Sequence, residues 1–246
     1  MKDENHLKHI QEAINALPED FNILEEQIDI NLQMTYFDKA KELRDAEFDE
    51  SLIDKAKTDL YSDEVNLEDK KQLLVQLAGF DDVEAFRVIE AFYKQAPKEI
   101  RDWAVLAFQE SRMVIQSSLL GEQQVFISTG LGGKGKNIRY SAAMHCTRKG
   151  QAFNDTQKKL VKSEFEYFLE KSEGELEEIS FEAQYAFAVF LFPLKENLHV
   201  IFKSFIDECN QFGNFLSDEV IITNVKRLKV EELNEFLKNN NQDEQK

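Results

Sequence analysis

The sequence predicts an α+β protein in two parts: an all-helical N-terminal half over residues 1–120 and an α+β half over 122–238. The second half is expected as a sandwich-type mixed or antiparallel sheet with helices on one face, followed by a disordered tail over 239–246. Three observations carry this. The first 120 residues hold one glycine, Gly79, and two prolines, Pro18 and Pro97, and their apolar residues recur at helical spacing. Past Gly121, runs of alternating polarity and β-branched residues begin. The charge divides there as well: residues 1–121 carry 14 Lys/Arg against 27 Asp/Glu, a net of −13, and residues 122–246 carry 16 against 20, a net of −4. A split of this kind suggests two units with different jobs.

In the first half, helical faces are formed by Ile10, Ile14 and Leu17, by Leu24, Ile28 and Leu32, and by Leu73, Leu74 and Leu77. Breaks fall near Pro18, Asp49, Ser62–Asn66, Gly79–Asp82 and Ala96–Pro97. Asn66 followed by Asp69 is a variant of the capping box, and Pro97 suits a first helical turn, where its missing N–H costs nothing. In the second half, Gln124–Thr129 reads as a strand. Ile138–Cys146 alternates, with Ile138, Tyr140, Ala142, Met144 and Cys146 on one face and Arg139, Ser141, Ala143 and His145 on the other. Asn154 with Gln157 opens a helix running to about Ser172. Residues 179–192 form one long strand or two, stopped by Pro193 and buried on both faces toward the end. A helix over Asn197–Phe212, a strand over Glu219–Thr223 and a helix over Val230–Leu237 complete the order.

The stretch Asp82–Ser111 resembles a HEAT-type repeat, a pair of antiparallel helices, through Pro97, Glu99, Ile100, Arg101, Ala104 and Phe108 in its second helix. An earlier pair over 49–79 overlays it at an offset of 31 to 33 residues but lacks the Pro and the Arg. The resemblance implies a surface for protein partners. The mechanics agree, because one helix pair cannot bury its apolar face and neighbours must stack.

Several functions are disfavoured at this level. The longest uncharged apolar run, Tyr185–Leu194, is ten residues, too short to span a bilayer as a helix. The charged start lacks the apolar segment of a secretory signal, and two cysteines, Cys146 and Cys209, suit a reducing compartment. A soluble cytoplasmic protein is expected. A net charge of −17 discourages loose binding to nucleic acid or anionic lipid.

The stretch Ser128–Asn137 (STGLGGKGKN) holds four of the nine glycines and falls one residue short of the phosphate-loop pattern G-x-x-x-x-G-K-[ST]. Asn137 replaces the metal-holding hydroxyl, and an alternating strand follows where a helix is required. A glycine-rich hairpin loop explains the glycines directly, as an exposed mobile loop. Lys134, Lys136 and Arg139 remain the candidate anion- or partner-binding residues. His6 and His9 hold a surface metal weakly at best. His145 and Cys146 are strand neighbours that face opposite ways. No catalytic residue, metal site or cofactor is expected, and acidic pairs such as Glu177-Glu178 read as solvated faces. The expected function is a non-enzymatic protein-interaction or scaffold module whose partner is a protein with a basic surface. Anion, nucleotide or nucleic-acid binding through 130–137 is the alternative, and an unrecognised hydrolase or transferase the third reading.

Overall fold

A computed structural model describes residues 14, 18, 21–44, 49–148 and 150–233. Expectations about His6, His9, Ile10, Leu17, the last turn of the final helix and the tail over 239–246 fall outside those residues. The described chain is α+β, helical in its N-terminal half with an antiparallel sheet in its C-terminal half. Two compact units divide it: one contains Pro18–Leu24 and Ile28–Ile127, the other Glu25–Gln27 and Ser128 onward. Along the chain this division falls after Ile127.

The helical unit is built from α1 (Ile30–Leu43), α2 (Ser51–Asp59), α3 (Leu67–Ala78), α4 (Val83–Gln95) and α5 (Arg101–Leu120). Their starts follow the side chains available. Asp29 caps α1 by accepting from the Asn31 and Leu32 N–H groups, Asn66 caps α3 through Asp69 N–H, and Asp82 caps α4 through Ala85 N–H. Pro97 stands ahead of α5, not in its first turn, and its carbonyl accepts from Ile100 N–H. Arg101 then joins the two helices around it: its guanidinium donates to the Tyr93 carbonyl at 2.5 Å and lies 4.6 Å from the Tyr93 ring. Tyr93 in turn stacks on Phe108 at 4.8 Å. Leu74, Leu77, Ile89, Ala104 and Ala107 are fully buried in the common core.

One strand pair departs from the all-helical expectation. Phe21–Ile23 (β1) runs parallel to Val125–Ile127 (β2), with Phe21 opposite Val125. The helix expected through Leu24, Ile28 and Leu32 starts only at Ile30, although Leu24 and Ile28 are buried as that spacing implied. Asp29 is the cause. Its carboxylate competes for backbone N–H groups and makes a start there cheaper than helix through it, while the segment before it pairs with residues over a hundred positions away.

The sheet unit contains β3 (Gly133–Lys134), β4 (Asn137–His145), α6 (Asp155–Lys171), β5 (Glu175–Glu182), β6 (Tyr185–Pro193), α7 (Leu198–Asn210) and β7 (Ile221–Thr223). Strand order is β3-β4-β6-β5, all antiparallel, with β7 also beside β4. The expected alternation along β4 holds. Ala142, Met144 and Cys146 face the core that α6 and α7 close with Phe165, Leu169, Phe202, Phe205 and Cys209. Ala143 on the opposite face joins Tyr185, Phe187 and Leu233, so a helical turn at 230–233 covers part of the second face as well. Residues 179–192 belong to two strands. Ala183 turns the chain at φ +51 without a glycine, and its carbonyl accepts from Phe153 N–H while the Gln184 carbonyl accepts from Cys146 N–H. The expected partner of β4 is also corrected. Within 124–129, Val125–Ile127 form β2 in the helical unit, and β4 hairpins instead with the two-residue β3.

A polar pair lies inside the helical core. Tyr36, fully buried, donates its hydroxyl to Glu110 at 2.5 Å. Burial raises the Glu110 carboxyl against the opposing pull of that hydrogen bond and of Arg44. Burial and the Glu110 charge push the tyrosine well up, which keeps it a donor. A carboxyl raised by folding contributes stability below its unfolded value, near 4.5, and that contribution is lost as pH rises through the folded value. Glu110→Gln keeps an acceptor for Tyr36 without the charge. Its urea midpoint is expected to gain steadily on the parent's from about pH 4.5 upward, and a pH-independent difference would refute the assignment. Tyr36→Phe, which strands the carboxylate, should lose about 1–3 kcal/mol at neutral pH.

Candidate functional site

The glycine stretch occupies a different place from the exposed loop expected. Residues 129–133 are buried, and only Lys134, Gly135 and Lys136 are exposed. A Cβ added at Gly130 would stand 1.8 Å from the Val225 carbonyl oxygen, and one at Gly132, φ +69, would stand 2.4 Å from that of Glu25. These two glycines allow backbone to pass against backbone. Gly135, φ +61 with open space around it, makes the β3–β4 turn. Backbone donors of the stretch are directed at protein. Leu131 N–H donates to Asn224, Gly132 N–H to Thr129, and Gly135 N–H to the Glu25 carboxylate. No helix follows the loop, as β4 begins at Asn137.

Arg139 is the hub of this region. Its Nε and Nη2 form a two-pronged pair with Glu177 at 2.5 and 2.8 Å, and its Nη1 donates to the carbonyls of Leu131 at 2.9 Å and Glu25 at 3.5 Å. The side chain is only 13% exposed. Glu177 holds the guanidinium above its ordinary range, and Arg139 holds Glu177 below the usual carboxylate range. Lys134 pairs with Glu175 at 3.0 Å, and Arg227 with Glu178 at 2.5 Å. The three sequence-predicted residues are thus neighbours on one hairpin. Two of them, Lys134 and Arg139, are tied to glutamates of β5, and Lys136 is exposed on the turn between them. Of the three, only Arg139 lines an open hollow of about 610 Å3, with Glu25, Gln27, Glu175, Glu177, Glu178 and Arg227.

A second concavity was not legible as a site. Leu198, Phe202 and Ile206 on α7 and Val220 and Ile222 at β7 line a groove of about 710 Å3. Asp207, Asp218 and Glu219 rim it, with Lys203 and His199 the basic residues among its lining. The helix residues read as core and the strand residues as ordinary strand. No local pattern marks a groove formed by two segments meeting across a gap.

The thiols and histidine are poorly placed for nucleophilic chemistry. Burial pushes Cys146 up, and burial with the charges of Glu164 and Glu208 pushes Cys209 up to about 12, so neither supplies thiolate. His145 Nδ1 lies 2.9 Å from the Cys146 carbonyl, and its Nε2 lies 3.6 Å from Glu219. Its ring therefore faces away from the Cys146 sulfur, as strand alternation requires. Among the described residues no group of three His, Cys, Asp or Glu is arranged to hold a metal, and no helix is long and apolar enough to cross a membrane.

No family model matches the chain, and no curated protein matches it. Solved structures give weak likenesses. A REP-associated tyrosine transposase bound to a REP hairpin is 7% identical, with a TM-score of 0.33 over 41% of this chain. The intact alpha subunit of aIF2 from Pyrococcus abyssi is 11% identical, with a TM-score of 0.29 over 78%. This chain spans 63% and 66% of those two chains.

Two expectations test the hairpin. Gly130→Ala should lose about 3 kcal/mol or more in thermal unfolding, because backbone must move. Gly135→Ala should lose only about 1–2 kcal/mol, the conformational penalty alone, and equal losses would defeat the close-approach account. Arg139→Met should lose about 1–3 kcal/mol through its unpaired acceptors. Lys134→Met, whose pair is exposed, should lose nothing measurable.

Proposed function

We propose that this protein is a non-enzymatic protein-interaction module whose partner presents a basic surface. The observation that supports it best is the engagement of the sheet unit's bases. Lys134, Arg139 and Arg227 each face a glutamate of β5, so positive charge beside the glycine stretch is neutralised within the fold. The chain's large acidic excess then sets the field that an approaching partner meets. The helical unit is read as a short HEAT-like stack. Arg101, one of the residues that carry the resemblance, ties the end of α4 to the start of α5, which supports this reading. Working in the cytoplasm fits two free, buried thiols.

Binding an anion, nucleotide or nucleic acid through residues 130–137 fits less well. Arg139 would have to exchange Glu177 for the ligand, and the glutamates of the surrounding hollow would repel it.

Immobilised full chain exposed to nuclease-treated native lysate is expected to retain a discrete basic protein. Raising salt from about 0.1 to 0.5 M should release it, as charge attraction is screened over a shorter Debye length. Retention of nucleic acid alone before nuclease treatment, or of nothing, would overturn the proposal, as would a partner held equally well at both salt concentrations.

A further inference from the structure

The groove between α7 and β7 has the form of a strand-addition site. Strand β7 pairs with β4, and no strand lies along its other edge among the described residues. A strand added along that edge would lie about 4.8 Å from β7. Val220 and Ile222 point from β7 to the same side as the α7 core face. Leu198, Phe202 and Ile206 look across from α7, with Phe202 and Ile206 3% and 5% exposed.

The helix wall and an extended ligand match in repeat. From Leu198 to Ile206 is eight residues of helix, about 12 Å at 1.5 Å each. The strand wall is shorter: Ile221–Thr223 spans two steps of about 3.3 Å, with Asp218–Val220 leading into it outside the ladder. Along the helix wall the apolar residues recur every fourth position, about 6 Å apart. Alternate side chains of an extended peptide recur about every 6.6 Å. A strand laid along β7 would therefore offer one apolar side chain to each gap between successive α7 side chains. A helical ligand would meet the strand edge without using its hydrogen-bonding groups.

Charge selects among extended segments. Three carboxylates, Asp207, Asp218 and Glu219, are exposed at the rim, against Lys203 and His199. We infer that the α7–β7 groove binds an extended segment of a partner protein by strand addition. That segment would place apolar side chains at alternate positions in the groove and Lys or Arg at its rim. The inference rests on the interaction-module reading and gives it a location and a ligand form.

The test is selection of ten-residue peptides from a random phage-displayed library on the full chain, followed by fluorescence polarisation with the enriched peptide. Enriched sequences should carry apolar residues at i, i+2 and i+4 with flanking Lys or Arg. Asp207→Lys/Asp218→Lys, both exposed, should weaken binding tenfold or more while its circular dichroism and melting temperature stay those of the parent. Ile222→Lys should abolish binding, and the rim variant keeps the test decisive if Ile222→Lys fails to fold. Several outcomes would overturn the inference: apolar residues at i, i+3 and i+4, enriched peptides that bind the rim variant undiminished, or no peptide tighter than about 100 µM. Self-association of the full chain abolished by the rim substitutions would overturn it too, making a second copy the occupant. A basic protein retained from lysate equally by parent and rim variant would sink the groove alone and leave the interaction-module reading standing.

Discussion

The sheet unit depends on satisfying both edges of β4. Buried backbone N–H and C=O groups must find partners, and β4 presents nine residues of them. One edge is met in full by β6, residue for residue from Asn137 opposite Pro193 to His145 opposite Tyr185. The other edge has no single partner. It is completed in pieces: β3 beside Asn137 and Ile138, the Gly132 carbonyl for Arg139 N–H, β7 beside Ser141–Ala143, then Ser217 and Leu216 beside His145 and Cys146. This patchwork explains the tightness of the glycine stretch. For Leu131 to donate to Asn224 and Gly132 to reach β4, backbone segments must pass closer than a Cβ permits.

The same patchwork explains the ion pairs. On the face away from α6 and α7, register puts Arg139 level with Leu191 and Glu175 across three strands. A bulge between Leu176 and Glu178 inserts Glu177 into β5, and that extra carboxylate is the one Arg139 grips with two hydrogen bonds. The remaining donors hold the Leu131 and Glu25 carbonyls. One guanidinium thus joins the edge strand, the glycine stretch and Glu25, segments that share no continuous strand pairing with one another. Bidentate geometry makes Arg suited to this where Lys is not.

Legibility in the sequence followed the range of the interactions. Helices α2 to α5 and α6, and the two faces of β4, rest on periodicity and caps within a few residues, and these were readable. The capping box at Asn154 and Gln157 was read and is present in both directions. What lay hidden is non-local. The β1–β2 pair joins Phe21 to Val125, and nothing in either tripeptide specifies a parallel partner. The β5–β6 turn has no glycine, because contacts from Phe153 and Gly150 hold Ala183 and Gln184 in place. Lys134, Lys136 and Arg139 were recognisable as a basic group, but the counter-charges of Lys134 and Arg139 sit some forty residues away on β5. A sequence window that sees the bases does not see that the fold pairs two of them with carboxylates.

Among the described residues β3, β5 and β7 each keep one edge unpaired in the sheet, and the last two are built differently. Edge strands left flat and apolar invite unwanted pairing. Strand β5 carries Glu175, Glu177, Glu178 and Glu182 within eight residues and breaks its ladder at the bulge. It is also crossed by ion pairs from Lys134, Arg139 and Arg227. A strand approaching it would meet a twisted ladder and charged side chains already fixed in pairs. Strand β7 has none of these guards. It is three residues of Ile-Ile-Thr, with no bulge against β4, and its exposed edge opens into an apolar groove. Its shortness limits pairing with an arbitrary strand, since few ladder hydrogen bonds can form, and so shifts recognition onto the side chains that enter beside α7. An edge that is short, regular and backed by a groove is selective in a way that a long charged one is not: the first discriminates among ligands, whereas the second excludes them.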